Sequence, residues 1–403
     1  MTHLEAAPSF PFEEDLGADS APEFARLRAA GPLVRVRVPD GQLAWLLLRR
    51  ADIKLVLTDP RFSRAAATRP GSPGVGPVTT APGMLIGLDP PEHTRVRRLV
   101  SKAFSPRTVE HKRPRIQHVV SELLDQVRDH GAPVDLIATF TRSLPLLVIT
   151  EILGVPYSDR GQFQNLVTII TSASAYPADR VKAALADLLA YFANLVERKR
   201  AVPAADLLSA LIAVSDEGDR LSEQELLMNA HLILVAGHDT TANQLANSLV
   251  ALFRHPDQLT LLHQQPQLIP SAVDELLRYV QLETTGNVRI ATEDVPLSGV
   301  LVRAGEAVIP MGHVASNDPE IYPDPRRLDL NRTGDAPHMV FGHGPHHCPG
   351  AALARLELQL ALTTLLTRFP GLRLALPAEQ LRWRPGMVMR NLEELPVTWH
   401  TQA

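Results

Sequence analysis

Cysteine is almost missing from this 403-residue sequence: Cys348 stands alone. No intramolecular disulfide can form, which points to a reducing compartment and excludes a disulfide-stapled secreted scaffold. Aromatic residues make up only 5%, so Leu, Val, Ala and Ile must supply most of the core. No sign of charge dominates: 40 Lys and Arg face 44 Asp and Glu, a formal net charge of −4. That balance excludes a general nucleic-acid binder, whose footprint is strongly basic. Long apolar runs are absent too. The best, residues 144–155, contains Thr150 and Glu151 and falls short of the roughly 18 residues that a spanning helix needs. The N-terminal stretch MTHLEAAPSFPFEEDLGADS is acidic and proline-broken, unlike a secretory signal. The expectation is a cytoplasmic protein that engages neither nucleic acid nor membrane.

Apolar residues at 45% and charged residues at 21% are ordinary globular values and leave enough material for a large core. The 34 prolines are scattered at the ends of apolar runs, where they suit helix termini. Helical spacing of apolar residues recurs over 119–127, 144–153, 180–200 and 205–213. Strand-like pieces lie at 33–38, 43–48, 295–297, 307–309 and 397–400. Residues 70–83 carry four Gly and four Pro, a long irregular loop of the kind that often binds ligands. Residues 310–337 also read as mostly irregular. No fixed-period repeat interrupts this pattern. It predicts one mainly helical domain over 1–403 with a small β region. The longest helix is signposted by a Ser222-x-x-Glu225 capping box and stopped by His255-Pro256 after Arg254. That is roughly 32 residues, or about 48 Å.

Around the cysteine the chain reads Phe341-Gly342-His343-Gly344-Pro345-His346-His347-Cys348-Pro349-Gly350, followed by an amphipathic stretch AALARLELQLALTTLL. Cys348 is therefore placed at a helix N-terminus, where free N–H groups and the dipole favour a thiolate. Gly342, Gly344 and Gly350 allow tight turns and close approach of a flat ligand. Three uses of the cysteine compete. It can be a buried structural residue. It can join His343, His346 and His347 around zinc, although consecutive side chains converge poorly on a tetrahedral ion. It can be the axial thiolate of a haem iron.

The pattern Phe341-Gly-x-Gly-x-His346-x-Cys348-x-Gly350, continued by Leu353-Ala354-Arg355, resembles the haem-binding signature of the cytochrome P-450 monooxygenases, with Pro349 where many bacterial members carry Leu or Ile. Further segments agree in the same order: Asp89-Pro-Pro-Glu-His93-Thr-Arg-Val-Arg97, Ala236-Gly237-His238-Asp239-Thr240-Thr241, and Glu275-Leu-Leu-Arg278. The resemblance implies a mainly α fold with a small β region, with haem b between the long central helix and the helix after the cysteine loop. It implies Cys348 as iron ligand, and His93, Arg97, Arg289 and His346 as partners of the haem propionates. Phe341, Gly342, Ala236 and Gly237 would line the cofactor.

The same resemblance gives Asp239 and Thr240 the delivery of protons to dioxygen. The plainer alternative is that Thr240 bonds back to the Ala236 carbonyl and Asp239 pairs with an arginine. Gly237 would leave room for dioxygen and permit a local bulge. His238 reads as a packing residue, and Arg95, Arg98 and Lys102 as solvated charges. Glu275 and Arg278 would form a buried architectural pair linked to the segment after Asn317-Asp318-Pro319. Candidate substrate contacts are Leu232, Val235, Thr285, Val388 and Met389, with the 70–88 loop. No fused reductase segment is expected, so electrons would come from a separate ferredoxin and ferredoxin reductase, steered by the basic residues of 93–115. The expected reaction inserts one atom of dioxygen into a bulky small molecule. A peroxide-using or bond-forming enzyme of the same fold, and a haem sensor, are the alternatives.

Overall fold

The computed structural model describes residues 7–12, 22–75, 83–216, 221–334 and 336–399, and helices dominate them. The longest obeys its sequence signals closely. The Ser222 hydroxyl accepts the Glu225 amide, and the Glu225 carboxylate accepts the Ser222 amide in return. This reciprocal cap satisfies two amides that a helix start leaves unpaired. The helix then runs Glu223–Arg254 unbroken, and Pro256 opens a separate helix, Pro256–Gln264. Its middle is buried on nearly every side, as befits a helix through the core.

The four predicted helices are all present with shifted ends: Arg113–His130, Ser143–Leu153, Ala178–Ala201 and Leu207–Asp216, the last starting two residues later than expected. Arg113–His130 buries Ile116, Val119, Val120, Leu123, Leu124 and Val127, one stripe at helical spacing. That stripe contributes to the main helical core, and the same helix packs on Ala351–Arg368, which follows the cysteine loop. Ser143–Leu153 and Ala178–Ala201 flank the central helix.

The main sheet has five strands in the order Leu33–Arg37, Leu43–Leu47, Ala307–Ile309, Arg289–Ala291, Phe62–Ser63. Only Leu43–Leu47 with Ala307–Ile309 is parallel. Val295–Leu297 forms its own hairpin with Val300–Val302. Pro396–Thr398 is the middle strand of a three-stranded sheet with Val134–Asp135 and Arg373–Leu374; His400 lies outside the described residues. The described residues of 310–337 are mostly irregular as expected, interrupted by the short helix Gly312–Ser316. Of the 70–83 loop, 70–75 and 83 are described and irregular, and the rest lies outside the described residues.

Two apolar cores result, one among the helices and one around the five-stranded sheet. The cysteine loop sits at their boundary: Met339 belongs to the sheet core, while Val340 and Phe341 pack on the helical core. Among the described residues no helix is long and apolar enough to cross a membrane.

Candidate active site

The loop before Cys348 is held by its own backbone. The Cys348 amide donates to the Phe341 carbonyl at 2.8 Å, and the Gly342 amide to Met339 at 2.8 Å. Gly342 and Gly344 have φ of 77° and 70°, a region that L side chains rarely enter. At Gly344 a Cβ would also stand 2.9 Å from the Leu57 carbonyl, so only glycine lets the loop lie against the Arg50–Thr58 helix. Two residues, Pro349 and Gly350, separate Cys348 from the helix Ala351–Arg368. Burial pushes its thiol up, while the amides of Gly350 and Ala351 and the guanidinium groups of Arg97 and Arg355 favour the thiolate. The expected thiolate preference is thus present but opposed by desolvation.

Arg355 was quoted in the motif without a role, and the structure gives it contacts. Its guanidinium carbon lies 4.7 Å from the Phe341 ring centroid, and its Nε donates to Asp274 at 2.7 Å. His338 reaches the same Asp274 oxygen at 3.1 Å. Asp274, Arg355 and His338 therefore clamp Phe341 beneath the loop. The three histidines point to different neighbours: His346 lies 4.1 Å from the His93 ring, and His347 is 6.5 Å from Phe341, while His343 faces Lys54 and Arg50.

His93, Arg97, Arg289 and His346 do come together, and a fifth group, Arg64, joins them. Burial comes first in holding Arg64 and Arg289 down at about 10. His346 is pushed to about 2, by burial and then by His93, Arg289, Arg64 and Arg97. Asp89 acts on Arg64, His93 and Arg289, and Glu283 on Arg64, but neither forms an ion pair with the arginines among the described residues, so the cluster's charge is only partly balanced. Arg64 spends its hydrogen bonds on the carbonyls of Val288 and Ile86. Arg289 donates from Nη1 to Phe62 at 3.1 Å and leaves Nε unsatisfied, as His93 leaves Nε2. Buried cations with free N–H groups call for an anion, and the propionates of haem fit that requirement. Arg64 escaped the sequence reading because its role depends on strand pairing between Phe62–Ser63 and Arg289–Ala291.

On the central helix, Leu232, Val235, Ala236 and Thr240 share one face at helical spacing. Ala236 is exposed and the other three partly so, although Ile233, Leu234, His238 and Asp239 beside them are buried. This face opens into the interior. Thr240 donates to the Ala236 carbonyl at 2.6 Å, the back-bond weighed above. Asp239 points elsewhere and accepts from Asn243 at 3.1 Å, with Oδ2 left unsatisfied. Burial raises it to about 6, against the pull of Arg142, Thr171 and Asn243. His238 is buried with both ring nitrogens unpaired and is held near 4 by desolvation, consistent with packing.

Gly237 needs a different explanation from room for dioxygen. A Cβ there would stand 2.6 and 2.7 Å from Cγ1 and Cδ1 of Ile149, on the helix Ser143–Leu153. The glycine brings two helices together, and the helix shows no bulge at this point. Arg95 is also corrected: it is no simple solvated charge but pairs with Glu225, the capping-box carboxylate.

Three segments outside the central helix are tied together. Thr284 donates through its hydroxyl to Val388 at 2.8 Å, and its amide donates to the same carbonyl at 3.1 Å. Val388 in turn donates to Thr171 at 3.0 Å. Val388 and Met389 are partly exposed, whereas Thr285 is buried. Behind the loop, Arg278 meets Glu275 through two hydrogen bonds of 2.7 and 2.9 Å, with both side chains almost fully buried. Its remaining donors reach Asn317 at 3.1 Å and the Pro325 carbonyl at 2.8 Å. Ser316 then accepts the Met339 amide at 2.7 Å, so the pair is linked through this segment to the cysteine loop.

The cytochrome P-450 family profile matches residues 31–373. Nocardicin C N-oxygenase of Nocardia uniformis subsp. tsuyamanensis is 47% identical over 393 residues, covering 97% of this chain and 98% of that protein. Mycinamicin IV hydroxylase/epoxidase of Micromonospora griseorubida is 44% identical over 400 residues, 99% and 100% of the two chains. Among solved structures, HinD with NMFT and NO superposes with a TM-score of 0.92 at 47% identity, covering 98% of this chain and all of that one. The LnmA hydroxylase of the leinamycin pathway of Streptomyces atroolivaceus S-140 gives 0.89 at 46% identity, over 98% and 100% of the two chains. This chain belongs to the cytochrome P-450 family of oxygen-incorporating oxidoreductases.

Proposed function

We propose that the chain, as a single domain, holds haem b through the Cys348 thiolate and uses dioxygen to oxidise a bulky natural-product intermediate. The observation that carries this reading is the buried cluster of Arg64, His93, Arg97, Arg289 and His346 beside the cysteine loop, where Arg289 Nε and His93 Nε2 lack partners and none of the arginines is ion-paired among the described residues. Haem bound there supplies an iron centre at which dioxygen is reduced, one atom entering the substrate and the other leaving as water.

The residues around it have separable tasks. The cations hold two carboxylates that would otherwise be buried unpaired. The Gly350 and Ala351 amides and Arg355 keep the sulfur anionic. Thr240 has given its proton to Ala236, so its lone pairs are free to accept from water held beside dioxygen. Asp239, near 6 and close to Arg142, exchanges protons at ordinary pH and can relay them inward. Leu232, Val235, Ala236, Thr285, Val388 and Met389 border the space left for substrate. Relatives that act as an N-oxygenase and as a hydroxylase/epoxidase agree with oxidation of a secondary metabolite.

Electrons come from a separate ferredoxin and ferredoxin reductase in the cytoplasm. Arg98, Lys102 and Arg107 are exposed on the segment beside the cation cluster, and with Lys112 they form no ion pair among the described residues. They form a basic surface for an acidic partner. The test is haem retention after gel filtration in Arg289→Leu and Arg97→Leu. Loss of haem supports the cradle, and wild-type haem content with an unchanged melting temperature in both refutes it.

A further inference from the structure

The segment after Arg278 carries a carboxylate that the mechanism above does not use. Glu283 lies in the segment between Arg278 and Arg289, bridged to Met389. The backbone on either side is tied down: the Arg390 amide donates to Leu282 at 2.8 Å, and Thr284 is bound twice to Val388. The Glu283 carboxylate, in contrast, makes no hydrogen bond or ion pair among the described residues. It is partly exposed, between buried Gln281 and buried Thr285. The side chain lies near Arg64, which is itself buried against the Ile86 and Val288 carbonyls, and burial pushes its carboxyl up to about 7. Its one charged neighbour is Arg64, which acts from beyond ion-pair distance and whose Nε and Nη1 donate to Ile86 and Val288 instead. The haem propionates are anions and cannot satisfy it.

We propose that Glu283 recognises a cationic nitrogen of the substrate, so that the molecule oxidised carries an amine, held as its ammonium against this carboxylate. An interior carboxylate without a partner is costly, and a ligand that brings the cation removes that cost when it binds. Met389, paired with Glu283 across the bridge, and the apolar residues that border the substrate space would take up the rest of a bulky molecule. The inference rests on the reading of this interior as the substrate chamber.

The experiment uses two probes of equal chain length, decyltrimethylammonium and 1-decanol, titrated calorimetrically into the haem-loaded enzyme. The quaternary nitrogen cannot ligate iron, so charge recognition is isolated. Wild type should bind the cation at least about tenfold more tightly than the alcohol. Glu283→Gln should lose about that factor for the cation while 1-decanol stays within about twofold, and Glu283→Asp should recover part of it. Equal cation affinity in wild type and Glu283→Gln overturns the proposal. So does a Glu283→Gln protein that loses haem or melts early with the probe ratio unchanged, since the carboxylate would then only balance Arg64. The reduced carbon monoxide spectrum of the same samples separates the two readings. A missing thiolate band with cation preference intact overturns the haem-thiolate assignment alone; a normal band without preference overturns this inference alone.

Discussion

Gly237→Ala measures whether this glycine serves helix packing or the ligand chamber. Two effects oppose one another. Alanine in a helix interior is favoured over glycine by about 1 kcal/mol. The new Cβ, however, would stand 2.6 Å from Ile149 Cγ1 and 2.7 Å from Cδ1, and overpacking of that kind costs about 1–3 kcal/mol. The net expectation is a destabilisation of roughly 0–2 kcal/mol. Ile149→Ala alone removes both offending atoms and should cost about 2–5 kcal/mol through the cavity it leaves. In that background only the Cβ at 3.2 Å remains close, so Gly237→Ala should now stabilise by up to about 1 kcal/mol. The sign of one substitution therefore reverses with its neighbour, a coupling of about 1–3 kcal/mol. Guanidinium denaturation of the four proteins at equal haem loading reads it, together with the rate of carbon monoxide binding. Identical effects of Gly237→Ala in both backgrounds, with slowed carbon monoxide binding, would refute the packing argument and restore the dioxygen-space explanation.

Three further outcomes are expected. Because burial raises Asp239 to about 6, the native state holds a proton that the unfolded chain releases near its ordinary value. Stability from this group is therefore full below about pH 4 and falls as pH rises to about 6. Asp239→Asn should gain in melting temperature relative to wild type across that window and stay level above it; a constant difference at all pH values would contradict the raised value. Thr240→Ala should keep haem and consume reduced nicotinamide, with much of the flux appearing as hydrogen peroxide, and equal product per nicotinamide in both proteins would remove its role with dioxygen. Arg278→Met leaves Glu275 and the Pro325 carbonyl short of partners and should cost about 3–5 kcal/mol, read as early melting with loss of haem; near-wild-type melting would show the pair to be dispensable.

Much of this architecture was readable where local chemistry decides it. The Ser222–Glu225 cap and His255-Pro256 stop bound the central helix correctly because caps and prolines act within a few residues. Gly342 and Gly344 take the tight turns expected of the loop's glycines for the same reason, whereas Gly350 keeps an ordinary φ of −83°. Contacts set by tertiary packing were less legible. Gly237 gives no sign in sequence of which helix it meets, Arg95 none of its approach to Glu225, and Arg64 looks like any charged residue before a loop. Glu283 carries no sequence sign of its place, since an isolated Glu near a strand usually faces water; its bridge to Met389 and its approach to buried Arg64 are tertiary. The opposition of burial and dipole at Cys348 was half visible, since helix position is local and desolvation is not.

The most direct measurement is the spectrum of the reduced protein under carbon monoxide. A thiolate from Cys348 predicts a strongly red-shifted Soret band in wild type and in Cys348→Asp no such band, even where haem remains bound. There is no second cysteine in the sequence to substitute for it. A wild-type protein that binds haem without that band, or a Cys348→Asp protein that keeps it, would contradict the account.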